Sequence, residues 1–106
     1  MSEYRIRRPL KAAPPHPGSL MREIVVDHLG LPLAVAARRM GTSRGALYGV
    51  LDGNASLTPD MALRFGKLTG APVEVLLRMQ TAHELWHAER RLAGALEKIE
   101  TAKRAA

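Results

Sequence analysis

The chain has 106 residues, 46% of them hydrophobic and 25% charged, which sets the expectation of one globular domain. It contains no cysteine, which excludes a disulfide framework, a thiol nucleophile and thiolate metal ligands and fits a reducing cytoplasm. Lysine and arginine number 16 against 10 acidic residues, and the formal charge of +6 favours a polyanion such as DNA or RNA, or an acidic protein, as partner.

Residues 1–15 read as a basic arm. Tyr4-Arg5-Ile6-Arg7-Arg8 carries the charge, and Pro9, Pro14 and Pro15 deny it a helix. No apolar segment follows this basic start, and no run reaches the roughly 18 apolar residues of a membrane span, so neither a signal peptide nor a membrane partner is expected.

The folded part opens at His16-Pro17-Gly18. Ser19 is the expected cap of a first helix, with Leu20, Ile24, Val25 and Leu29 at helical spacing and Gly30 as its stop. Pro32 starts a second helix with Leu33, Ala36, Ala37 and Met40 on its apolar face, ended by Gly41. Thr42-Ser43 caps a third, over 43–52, whose expected buried stripe is Ala46, Leu47, Val50 and Leu51; Asp52-Gly53 stops it. Thr58-Pro59-Asp60 supplies cap, first-turn proline and first-turn acid to a fourth helix with Met61, Ala62, Phe65 and Leu68 facing inward and Gly70 at its end. Pro72 begins a fifth, expected to run to about Lys98 with Gly94 as its weak point. Leu85, Leu92 and Ile99 repeat every seven residues along it, flanked by Ala82 and Leu96. That narrow stripe predicts a partner helix from a second copy, hence a homodimer. The fold class is all-α: five helices, the last one long.

The feature that points to function is the pair of short helices joined at Gly41. Ala37 is small where the second helix must cross the first, Gly41 permits a positive φ in the tight turn, and apolar positions 36, 40, 47 and 50 lock the pair. This is the physics of a helix-turn-helix, whose second helix enters a DNA major groove. The outward positions of that helix are Ser43, Arg44, Gly45, Tyr48 and Gly49. Arg44 is the leading candidate for a base contact, because a guanidinium bonds guanine O6 and N7 together. Tyr48 suits a phosphate or a thymine methyl. Thr42 and Ser43, at a helix N-terminus, suit a phosphate, and Arg38, Arg39 and Asn54 are further phosphate candidates.

Several stretches then carry a family resemblance. His16-Pro17-Gly18-Ser19-Leu20-Met21-Arg22-Glu23 resembles the opening of the HigA/VapI-type antitoxins. So do Ala37-Arg38-Arg39-Met40-Gly41-Thr42-Ser43-Arg44, Leu51-Asp52-Gly53, Leu57-Thr58-Pro59-Asp60-Met61-Ala62-Leu63-Arg64, and Met79-Gln80-Thr81-Ala82-His83-Glu84-Leu85-Trp86. The likeness covers residues 16–92 in order. It implies a five-helix, lambda-repressor-like DNA-binding domain over 16–92, with a C-terminal extension over 93–106. It further implies a dimer, a ribosome-dependent RNase toxin of the HigB type as protein partner, and repression of the module's own promoter. Two departures bear on DNA readout. Leu33 stands where relatives of this fold often carry a phosphate-bracing glutamine, and Gly45 and Gly49 remove side chains from the reading face.

His83-Glu84-Leu85-Trp86-His87 spells H-E-x-x-H, a zinc-peptidase motif when it lies on a helix. Glu97 and Glu100 are too far along the same helix to be third ligands, and no H-x-x-G-x-x-H extension follows. The sequence therefore assigns no catalytic residue, no metal site and no cofactor, and leaves His83 and His87 a pair suited to opportunistic zinc or nickel capture. A helix-turn-helix antitoxin ranks first, a stand-alone regulator without a toxin second, and a zinc peptidase a distant third.

Overall fold

The computed structural model describes residues 12–105, and every regular element among them is helical. The expected arm therefore falls largely outside the described residues. The chain runs α1 (Gly18–Arg22), a π-helical continuation (Glu23–His28), α2 (Leu33–Met40), α3 (Arg44–Leu51), α4 (Pro59–Thr69), α5 (Val73–Arg91) and α6 (Ala93–Glu97).

The first helix departs from expectation twice. It starts two residues early, capped at Pro17, whose ring fixes φ at −65° in the helical region, while Ser19 is exposed and caps nothing. After Arg22 the winding widens: the Leu29 amide donates to the Ile24 carbonyl at 3.0 Å and Leu31 to Val25 at 2.9 Å. The wider turn breaks the 3.6-residue register, so Val25 is fully buried but Leu29, expected on the same face, is 45% exposed.

The next three helices start where local chemistry dictates. Ser43 Oγ accepts from the Ala46 amide at 3.1 Å, and Thr58 Oγ1 from the Met61 amide at 3.2 Å with Pro59 in the first turn. In α3 the buried stripe is Leu47, Val50 and Leu51; Ala46, expected with them, faces solvent, because it sits about a quarter-turn from the centre of that stripe, beyond its Val50 edge.

The core gathers Met21 and Val25 from the first helix, Ala36, Ala37 and Met40 from α2, Leu47, Val50 and Leu51 from α3, Leu57 from the connecting loop, Met61, Ala62 and Phe65 from α4, and Leu76 from α5. At about 1.5–3 kcal/mol per fully buried large side chain, this cluster is the main stabilising term.

Instead of one helix to about Lys98, α5 ends at Arg91. Leu92 adopts φ −99°, ψ 2°, two residues before the expected weak point Gly94, and α6 lasts five residues. The final amides tighten, Lys98 donating to Ala95 and Ile99 to Leu96 at 3.1 Å. Among the described residues, only α5 packs appreciably against this segment, too little to hold regular winding. Ile99 therefore leaves the helical stripe and is 69% exposed. No helix among the described residues is long and apolar enough to cross a membrane.

Candidate nucleic-acid interface

The turn between α2 and α3 is closed by backbone chemistry. Gly41 sits at φ 71°, ψ 32°, its amide donates to Arg38 at 3.1 Å and the Thr42 amide to Ala37 at 3.0 Å, which satisfies the last carbonyls of α2. A side chain at 41 would be strained by that φ and would meet Arg64 Nη1 at 2.9 Å. Arg64 itself was not singled out by the sequence. From α4 its Nη1 donates to the Met40 carbonyl at 2.8 Å, tying α4 to the turn and setting the angle between the two motif helices. Only the fold brings it there, because 24 residues separate donor and acceptor.

The other end of α3 is held from the N-terminal side. Gly18 lies so close that a Cβ there would be 2.2 Å from the Val50 carbonyl oxygen, so α1 seats directly on the end of α3. His16 makes a two-way link. Its Nδ1 accepts from the Gly18 amide at 2.9 Å, and Nε2, 2.9 Å from the Ala55 carbonyl, therefore carries the proton and donates to it. The Arg22–Asp52 ion pair adds a second tie between the same regions. The loop leading to α4 is fixed by buried Gln80, whose Oε1 accepts from the Leu57 amide at 2.8 Å and whose Nε2 donates to Glu84 Oε2 at 2.9 Å. Ser56 Oγ donates to that same carboxylate oxygen. The physical reason for the His16-Pro17-Gly18 stretch is thus positional: it clamps the exit of α3.

Held in this way, α3 presents its N-terminal half outward. Ser43, Arg44, Gly45 and Ala46 are exposed in sequence, and Arg38 and Arg39 are exposed on the preceding helix. None of these three arginines has an ion-pair partner among the described residues. Ser43 spends its acceptor on the helix cap but keeps its O–H to donate. Thr42 is half-buried. Tyr48 is half-buried and packs against the core. Gly49 is half-buried too: its carbonyl accepts from the Asn54 and Ala55 amides at 2.9 and 3.0 Å, and a Cβ there would touch Ala55. Gly45 faces open space. Asn54 is exposed on the turn after α3. The predicted residues thus divide into an open cationic group (38, 39, 43, 44, 45), an exposed turn position (54) and a more sheltered set (42, 48, 49).

No family model matches the chain. Among curated proteins it is 33% identical over 76 residues to the uncharacterized HTH-type transcriptional regulator YddM of Escherichia coli K12, covering 72% of this chain and 80% of that one. It is 31% identical to virulence-associated protein I of Dichelobacter nodosus, covering 70% and 68%. Among solved structures, the antitoxin GraA in complex with its operator superposes with a TM-score of 0.77 at 26% identity, covering 95% of this chain and all of that one. An addiction-module antidote protein of the HigA family from Coxiella burnetii gives 0.74 at 26%, over 87% of this chain and all of that one. With its order of helices, its glycine turn and these relatives, the chain belongs to the HigA/VapI-type family of helix-turn-helix antitoxins and regulators.

Proposed function

We propose that this protein is the antitoxin of a type II toxin–antitoxin module, binding operator DNA through α3 to repress its own operon and neutralising a HigB-like RNase toxin. The observation that carries the DNA half is the open N-terminal face of α3, where Arg44 is exposed and Gly45 faces open space, beside exposed Arg38 and Arg39, which have no ion-pair partner among the described residues. Operator binding by GraA, similar over nearly the whole chain, supports it. In this reading Arg44 reads a base edge, while Arg38, Arg39, Thr42, Ser43 and Asn54 position phosphates. Gly45 lets the backbone approach the groove. Tyr48 and Gly49 shape the helix from behind. The toxin half rests on the family. No catalytic step is part of the reading.

Residues 16–92 are the DNA-binding domain in this proposal, and a second copy covers the outer face of α5 and α6. A groove of about 220 Å³ lined by Leu85, Ala88, Glu89, Leu92 and Leu96 supports that dimer.

The test is a titration against the protein's own promoter fragment and a scrambled one over a range of salt. Preference for the promoter at physiological salt, reduced by about 1–3 kcal/mol in Arg44→Ala, is the expected result. Equal affinity for both fragments, falling in step as salt rises, means charge-driven binding and overturns specific repression. A second reading, a regulator with no toxin, is favoured by the likeness to YddM, described as a transcriptional regulator. An adjacent gene for a small basic protein that co-purifies with this chain decides for the antitoxin.

A further inference from the structure

The H-E-x-x-H stretch of α5 is left unused by the DNA-binding reading, and the structure separates its parts. Glu84 is engaged: the same carboxylate oxygen accepts from Gln80 and Ser56 and anchors the loop before α4. His83 lies 2.7 Å through Nδ1 from the Pro14 carbonyl. A carbonyl can only accept, so the proton is on Nδ1, and in the neutral ring Nε2 holds a free lone pair. His87 is exposed one turn further on, its ring centroid 4.7 Å from that of His83, with no hydrogen bond or ion pair among the described residues. The His16 ring meets His83 edge-on at 5.4 Å, but both its nitrogens are occupied, so it packs and cannot ligate.

We propose that His83 and His87 form a two-imidazole site for a divalent transition-metal ion, taking Cu²⁺ more tightly than Ni²⁺, with water completing the coordination. Spacing of four on a helix puts both rings on one face. The carbonyl behind His83 is the kind of partner that fixes the tautomer of a metal-binding histidine and raises the basicity of its other nitrogen. Metal on Nε2 polarises the Nδ1–H in turn and tightens the bond to Pro14, coupling occupancy to the point where the basic N-terminal segment joins the domain. No set of three or more metal-ligating side chains gathers among the described residues, so the proposal is a two-ligand site. The Arg90 guanidinium lies 3.6 Å over the Trp86 ring, which itself touches His87. That nearby positive charge weakens binding of either divalent ion alike, and the preference for Cu²⁺ rests on its stronger bonds to imidazole.

The experiment is calorimetry of the untagged full-length protein with CuCl₂ and NiCl₂ at neutral and mildly acidic pH. One ion per chain is expected, bound more weakly in acid because protons compete for the same lone pairs. His87→Ala is expected to weaken binding by at least about tenfold without changing thermal unfolding, since the ring is exposed; Glu84→Gln is expected to retain binding. Imidazole ¹⁵N spectra are expected to show Nε2 of His83 unprotonated and selectively broadened by Ni²⁺. Absence of saturable binding below millimolar metal, equal affinity in His87→Ala, or a protonated Nε2 on His83 in the free protein each overturns the site.

Discussion

Residues 16–80 and 81–105 obey different physics although one helix runs through both. Every residue of the hydrophobic core lies between Met21 and Leu76. Polar groups in that region reach across the chain to partners: His16 to Ala55, Arg64 to Met40, Gln80 to Leu57. Past Gln80, the one buried residue of α5 is Glu89, Leu92 is 42% exposed, and Trp86 Nε1 is enclosed without a hydrogen-bond partner among the described residues. The first region holds the whole core and is tied to the start of the second through Glu84. Beyond that tie, the second carries an exposed apolar surface on a helix that loses regularity at Leu92.

Substitutions sharpen the contrast. The largest effect belongs to Phe65→Ala, which empties a fully buried site; a loss of about 3–5 kcal/mol in urea unfolding is expected. A loss under about 1 kcal/mol would mean that the core rearranges and that the division drawn here is too sharp. Gly18→Ala comes next. Its new methyl collides with backbone carbonyls of α3 that cannot swing aside, so about 1–3 kcal/mol is expected by the same assay, with weaker promoter binding as α3 shifts.

Gln80→Leu should cost a similar or slightly smaller amount, about 1–3 kcal/mol, by stranding the Leu57 amide. Amide hydrogen exchange at Leu57 is the direct check, and unchanged protection would show that the loop does not depend on Gln80. Ser43→Ala is expected to cost about 1 kcal/mol through the lost cap. At the far end, Ile99→Ala should stay within about 0.5 kcal/mol, whereas Leu85→Asp leaves the core untouched yet is expected to convert a sedimenting dimer into an 11.6 kDa species. A parent protein that sediments as monomer at micromolar concentration would leave the outer face of α5 without its proposed cover.

Reading the chain alone located α2, α3 and α4 almost to the residue, because each begins with a side chain or ring that solves a local problem and ends on a residue suited to a turn. Ser43 and Thr58 cap their own helices, and Gly41 and Gly70 adopt the left-handed conformation that stops theirs. The exposure of Arg38, Arg39 and Arg44 followed from periodicity alone. The π-helical turn after Arg22 was not legible, since nothing in Glu23–His28 distinguishes five-residue from four-residue hydrogen bonding until neighbouring elements demand it. The end of α5 was misplaced for the converse reason: a good helical pattern persists past Arg91, but packing does not.

What the sequence determined by itself is therefore much of what contacts within a few residues govern: the starts of α2, α3 and α4, the glycine turn, most of their apolar faces and the cationic character of the α3 N-terminus. Tertiary structure decided which of those groups are spent and which remain free. It turned Arg64 into the brace of the turn, His16 and Gly18 into the clamp on α3, and Glu84 into a loop anchor, and it left Arg44 open. These pairings span from 2 to 39 residues of chain. The long ones arise only when the core brings distant elements together, because a local pattern states what a side chain can bond and not what it will meet.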